Sequence, residues 1–233
     1  MKTESYKDTK EALRALCNRL AQLVKDEQGD IFNLALSGGE TARQMFTLWV
    51  DEYCDKIDWK AIRFYWVDER CVPKTDDESN YRHAYKLLFE PLNIPKSHYH
   101  RIKGENYPET EAIRYSNRVS EKLLKHDGLS RFDCIILGVG NDAHTASIFP
   151  TTMELLEDKH LYAVSRHPQT GQNRITMTGP FLLNNTPLLV PVLGKGKTEV
   201  IKRLQAGYSK DNPAPATYIL SHAKDATLYI SVE

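Results

Sequence analysis

The segment FDCIILGVG, Phe132 to Gly140, constrains the fold of this chain more than any other stretch. It is a continuous apolar run stopped by glycines. A strand covered on both faces reads this way, so it is expected at the centre of a parallel sheet. Parallel neighbours must be joined by long crossovers, usually helical. The rest of the chain supplies them. Leu13, Leu16, Cys17, Leu20, Leu23 and Val24 fall at helical spacing ahead of a strand, IFNLAL (Ile31 to Leu36). A helix burying Ala42, Met45, Phe46 and Trp49 follows, then the strand RFYWV (Arg63 to Val67), which is expected to end abruptly at Asp68-Glu69-Arg70. Further helices are expected from about Tyr81 to Phe89, from Pro108 to about Lys125 and from about Lys197 to Leu204. LYAVS, RITMT, PLLVPVL, TYIL and TLYISV are the later strand candidates.

This alternation predicts an α/β fold, a largely parallel twisted sheet flanked by helices, in a single domain over residues 1–233. Ligands of such sheets sit beyond the carboxyl ends of the strands. Ser37-Gly38-Gly39, Asp68-Glu69-Arg70, Gly138 to His144 and Gly194 to Lys197 each follow a predicted strand, so they are expected to meet at one edge.

Composition narrows the function classes. With 31 basic and 31 acidic residues the formal charge is zero, which gives no bulk attraction to nucleic acid or an anionic membrane surface. No apolar run approaches the roughly 20 residues of a membrane helix, and no signal-peptide core precedes the first charges. Cys17, Cys54, Cys71 and Cys134 form no CxxC pair, as expected of reduced thiols in a cytoplasmic protein.

Four segments carry candidate chemistry. Ser37-Gly38-Gly39 joins a strand to a helix through a turn whose N–H groups can approach a phosphate. An ordinary strand-to-helix turn has the same sequence, and Ser37 lacks the Gly-x-Ser-x-Gly setting of an acyl-enzyme nucleophile. Arg70 can hold an anion bidentately and Asp68 can orient a histidine or a water. In GVGNDAHTASIFP, His144 stands after a glycine turn, beside Asp142 and before an expected helical start whose dipole would keep the imidazole neutral. Gly138, Gly140 and Ala143 of that segment also fit the dinucleotide fingerprint, but no acidic residue follows the next strand, and an NADP-dependent oxidoreductase stays open on Arg166. Arg174 and Lys197 add cations near late strands, and Lys197 at a helix start opposes the dipole unless an anion is bound there. No HxxxH or Cys/His spacing is present, so no metal and no cofactor is expected.

Taken together, SGGET, WVDERCVP with the downstream DDESNYR, and LGVGNDAHTASIFP resemble the 6-phosphogluconolactonase family, and RITMT and GKGK fit its C-terminal pattern. The likeness runs from about Leu34 to Lys197, and DER–SN–HTASIFP is its specific part. Two departures stand out. Ala143 occupies the usual glycine before the histidine, and Glu40-Thr41 replaces Ser/Thr-Pro after the first glycines.

The resemblance implies a Rossmann-like, NagB-type fold and metal-free opening of 6-phospho-D-glucono-1,5-lactone to 6-phosphogluconate, in the oxidative pentose phosphate pathway. His144 would be the general base, oriented by Asp68 or Asp142. Ser37, Gly38, Gly39, Arg70, Arg174 and Lys197 would hold the phosphate, with one cation free to face the oxyanion. The implied partner is the sugar-phosphate lactone, with no nucleic acid or membrane, in a monomer or weak dimer. A glucosamine-6-phosphate deaminase or isomerase and a non-catalytic sugar-phosphate sensor are the alternatives. Deaminases carry Asp-Glu-Tyr and Phe-Asn-Glu-Pro where this chain has Asp-Glu-Arg and Ser-Ile-Phe-Pro.

Overall fold

The computed structural model describes residues 1–27, 31–123 and 130–232. Its main sheet has six strands, all parallel: β1 (Lys2–Ser5), β2 (Phe32–Leu36), β3 (Ile62–Trp66), β5 (Cys134–Ile136), β8 (Leu188–Leu193) and β9 (Ala226–Ser231), in the order β1-β9-β8-β5-β2-β3. The Cys-Ile-Ile core of the founding segment is the short strand β5, hydrogen-bonded to β2 and β8 on its two sides and wholly buried. β2 and β8 are buried along their entire length, as a strand covered on both faces requires.

Pro191 in β8 has a positional reason. The β5–β8 pairing stops at Leu189, so Pro191 pairs only with Tyr229 of β9, and no ladder bond is lost on its other side.

The helices bury the stripes expected of them. Helix α1 (Thr9–Asp26) buries Leu13, Leu16, Cys17 and Leu20 and packs against β8 and β9, and Asp8 caps it by accepting from the Glu11 N–H at 2.8 Å. Helix α2 (Glu40–Tyr53) buries Ala42, Met45, Phe46 and Trp49. Helix α3 (Asn80–Ala84) continues into a π-helical turn at Tyr85–Phe89, together matching the expected helix there. Helix α4 (Pro108–Lys122) opens on Pro108, is capped at Leu123 and packs on the second sheet; residues 124–125 of the expected helix lie outside the described residues.

Asp68-Glu69-Arg70 is not the abrupt strand end expected. It is a strand, β4 (Asp68–Arg70), in a separate antiparallel sheet ordered β4-β7-β6, with β6 at Tyr162–Arg166 and β7 at Asn173–Met177. Val67 is the junction: its N–H bonds Leu36 O of the first sheet at 2.9 Å, and its carbonyl accepts from Met177 N of the second at 2.8 Å. The chain therefore leaves one sheet and enters the other through a bend at this single residue.

TYIL is helical, not extended, lying inside α7 (Pro215–His222) after a short α5 (Gly179–Leu182) and α6 (Thr198–Ala206). Pro215 sits in the first turn of α7, where its missing N–H costs nothing. Among the described residues, no helix is long and apolar enough to cross a membrane.

Candidate active site

The four segments expected to converge do so. Ser37, Gly38, Gly39, Asp68, Arg70, Gly138, Gly140, His144, Arg174, Gly194 and Lys197 line one cavity of about 400 Å³ beyond the carboxyl ends of the parallel strands. The antiparallel sheet forms its other wall, bringing Arg70 of β4 opposite Arg174 of β7 in register.

On the parallel-sheet side, the glycine turn is fixed from below. Ser37 Oγ donates to Ile136 O at 2.9 Å and accepts from Gly138 N at 3.1 Å, tying the ends of β2 and β5 together. The Ser37 hydroxyl is thereby occupied, which leaves backbone for any ligand. Gly39 has φ of 90°, and no side chain caps α2, so the first N–H groups of that helix are left for an anion at the cavity. Gly38 is required sterically: a Cβ there would fall 1.8 Å from Asn80 Oδ1.

His144 does not open a helix. Thr145 instead bridges back to Val139 and to Ile148, and Ala146 has φ of 52°. The dipole argument for a neutral imidazole therefore fails. So does the dinucleotide fingerprint, which needs a helix after its glycines. What holds the ring is Asp142, whose Oδ1 lies 2.6 Å from His144 Nδ1 and also accepts the His144 N–H at 3.1 Å. An ionised carboxylate only accepts, so Nδ1 carries the proton and Nε2 keeps a lone pair. Burial pushes the Asp142 carboxyl up, but the attraction of His144 and the hydrogen bonds it donates hold it below the usual carboxylate range. Asp142 backs the ring and is not itself part of the cavity wall.

Asp68, the other expected orienting carboxylate, accepts from Ser147 Oγ at 2.7 Å and does not bond His144. Phe149 packs on the imidazole with ring centroids 4.9 Å apart. Gly140 leaves the space the ring fills, since a Cβ there would lie 2.1 Å from His144 Cε1. The missing glycine before the histidine costs backbone strain instead: Ala143 is buried with φ of 64°.

The opposite wall is built around buried charge. Glu69 is 2% exposed and accepts four hydrogen bonds, from the N–H groups of Arg70, Asn80 and Tyr81 and from Ser79 Oγ. Burial pushes its carboxyl up to about 7 against those backbone donors. Arg174 is buried, and burial together with the neighbouring Arg70 charge lowers its pKa. The Nε atoms of both arginines are buried without a hydrogen-bond partner. Two adjacent guanidiniums with donors to spare call for an anion between them. Lys197 joins them from the far side, half-buried, its Nζ donating to Val139 O at 2.8 Å.

Sequence reasoning assigned no role to Asn80 and His167, which also line the cavity. Asn80 Oδ1 is buried and unpartnered, while its Nδ2 donates to Asp68 O at 3.0 Å. His167 Nδ1 accepts from the N–H groups of Gln169 at 3.3 Å and Thr170 at 3.2 Å, so its Nε2 carries the proton. Burial and then the Arg174 charge hold its pKa down, keeping it a neutral donor. Nothing local marked it, because its role depends on a turn between β6 and β7. Among the described residues, no group of three or more His, Cys, Asp or Glu side chains is placed to hold a metal ion.

Comparison with known proteins places the chain in a family. The family described as glucosamine-6-phosphate isomerases/6-phosphogluconolactonase matches residues 7–229. The chain is 38% identical over 201 residues to the 6-phosphogluconolactonase of Treponema pallidum, covering 86% of this chain and 83% of that one. It is equally 38% identical over 188 residues to that of Haemophilus influenzae, covering 80% and 79%. Among solved structures, the devB protein superposes with a TM-score of 0.90 at 34% identity, over 98% of this chain and 95% of that one. A monomeric glucosamine-6-phosphate deaminase shares the fold, with a TM-score of 0.80 at 21% identity over 99% and 97%. With most of its length matched both by the family's model and by relatives this similar, the chain belongs to the glucosamine-6-phosphate isomerase/6-phosphogluconolactonase family.

Proposed function

We propose that this protein, as one domain, hydrolyses 6-phospho-D-glucono-1,5-lactone to 6-phosphogluconate with His144 as general base. The observation that carries this is the His144–Asp142 contact of 2.6 Å at a cavity shared with Arg70, Arg174 and Lys197. A carboxylate on Nδ1 leaves Nε2 able to take a proton from water, and the cations suit a phosphorylated substrate that gains further negative charge as it reacts. The lactonase names of the relatives at 38% identity favour the same assignment.

A water between His144 Nε2 and the lactone carbonyl loses its proton to the imidazole as its oxygen bonds to that carbon. The tetrahedral oxyanion then collapses, the ring C–O bond breaks, and the proton passes from His144 to the leaving ring oxygen. One positioned base supplies about 10²–10⁴-fold, and preorganised charge opposite the oxyanion supplies roughly 10²–10³-fold more. The Ser37-Gly38-Gly39 turn, the start of α2, Lys197 and the Arg70–Arg174 pair bind the phosphate and face the oxyanion. His167 Nε2–H donates to a sugar oxygen or to the phosphate. No step in this scheme requires a metal or a covalent intermediate.

The test couples glucose 6-phosphate oxidation to this protein and follows proton release against the spontaneous rate. Wild type is expected to accelerate lactone opening, and His144→Ala to lose about 10²–10⁴-fold of that while remaining folded. Opening at the spontaneous rate with wild type, or undiminished turnover in His144→Ala, rejects the assignment. Ammonia release from glucosamine 6-phosphate would move the protein to the other branch of its family.

A further inference from the structure

A second cleft, lined by none of the catalytic residues, gathers positive charge that the neutral chain as a whole does not have. Lys74, Lys96, Arg101, Lys103, Arg114 and Arg118 line a cavity of about 520 Å³, together with Tyr81, Tyr99 and His100. A contiguous cavity of about 480 Å³ shares Lys74, Lys96, Tyr81 and Tyr99 with it and adds Arg82, Tyr85 and Lys86. Among the described residues, no carboxylate lines either one. The nearby acids are committed: Glu105 pairs with Arg101, Glu111 with Arg114 and Asp77 with Arg82. Lys74, Lys86, Lys96, Lys103 and Arg118 are left without an ion pair among the described residues. Burial and the charges of Arg118, Lys122 and Arg63 push His100 down to about 4, which registers the positive field locally.

A solvated lysine surface would need neither an aromatic wall nor unusual backbone, and this cleft has both. Tyr81, Tyr85 and Tyr99 form one cluster, with ring centroids 5.9 to 6.5 Å apart, and Tyr85 is 36% exposed. Tyr85 begins the π-helical turn, in which Glu90 N–H bonds Tyr85 O at 2.9 Å. Such turns are rare and concentrate at functional sites. Clustered cations suit a chain of phosphates, and exposed tyrosine suits a planar ring.

We propose that this cleft binds a nucleoside di- or triphosphate, its phosphates among Lys74, Lys96, Lys103 and Arg118 and its base against Tyr85 and Tyr99. The site is independent of the lactonase assignment. It adjoins the catalytic cavity through α3, which presents Asn80 to one and Tyr81 and Arg82 to the other.

The experiment is calorimetric titration of the full chain with ADP, with pyrophosphate and with a single-stranded oligonucleotide. ADP is expected to bind more tightly than pyrophosphate. The double variant Lys96→Gln/Lys103→Gln should weaken ADP binding about tenfold or more and leave lactone hydrolysis unchanged. Tyr85→Ala should bring ADP down to the affinity of pyrophosphate. Lys197→Ala, in the catalytic cavity, should leave ADP binding as it was. The proposal is overturned if ADP binding is lost in Lys197→Ala yet kept in the double variant. Pyrophosphate matching ADP on wild type, or the oligonucleotide binding where ADP does not, overturns it equally.

Discussion

The two walls of the catalytic cavity are made by different means. The parallel-sheet wall consists of three strand-end turns, and its shape is a matter of backbone: Gly39, Ala143 and Gly194 all have positive φ, and Gly140 leaves room for the imidazole. The antiparallel wall is a matter of buried polar groups, with Glu69 accepting four hydrogen bonds and Asp68 bound to Ser147. One wall fixes where the reacting groups point, and the other fixes the scaffold that carries the cations. Substitutions should therefore separate. On the first wall they should cost turnover or affinity with the fold intact, and on the second they should cost stability.

Short of removing His144 itself, Gly140→Ala should produce the largest effect. The new methyl would lie 2.1 Å from His144 Cε1 and 2.8 Å from Asp142 Oδ1, so the dyad must move. A misplacement of about 1 Å at reacting groups costs on the order of 10²-fold, and kcat should fall by about that much. Steady-state assays beside thermal unfolding decide it. Normal turnover would mean the ring has slack, and the first wall is then not a positioning device.

Glu69→Gln probes the second wall. An amide presents an NH₂ where the carboxylate now faces only donors, leaving at least one buried pair opposed. The cost of unmet buried donors is about 2–3 kcal/mol, readable by urea unfolding, and about 5–10 °C in Tm for a chain of this size. An unchanged Tm would erase the distinction between the walls.

The same contrast explains what the sequence revealed. Backbone-made features carry local signals. Glycines after apolar runs located the three turns of the first wall, and the rule that ligands sit at strand carboxyl ends brought His144, Arg70 and Lys197 together. Features made by distant pairing carry none. Val67 hands the chain to a second sheet through bonds to Leu36 and Met177, so Asp68-Glu69-Arg70 looked like the end of a strand. The polar strand Lys2–Ser5 is extended because β9 pairs with it, not because its residues favour a strand. Thr217 to Leu220 is too short to separate a period of 2 from one of 3.6, and Pro215 in the first turn of α7 was the better clue. The expected helix after His144 gave way to a bridged loop with Ala146 at positive φ. His167 was passed over because its tautomer is set by two N–H groups of a turn.

Lys197→Ala sharpens the comparison from within the first wall. Its ammonium is half-buried, with burial lowering its pKa against the attraction of Asp142. Removing one charge-assisted contact to a remote phosphate should raise KM about tenfold while kcat changes less. A matching fall in kcat with no change in KM would place Lys197 opposite the oxyanion instead.

Ala143→Gly should give the smallest effect, because its contributions nearly cancel. Holding alanine at φ of 64° costs about 1–2 kcal/mol in the folded state, which glycine would recover. Glycine gains unfolded-state freedom worth about 0.4–1 kcal/mol. It also gives up a fully buried methyl worth about 0.8 kcal/mol. Chemical denaturation should therefore find the variant within about 1 kcal/mol of wild type, and kcat within about twofold. A gain well beyond that would show that the loop stores strain beside His144. A large loss would show that the Ala143 methyl, rather than the backbone alone, positions the imidazole, and the first wall would then resemble the second.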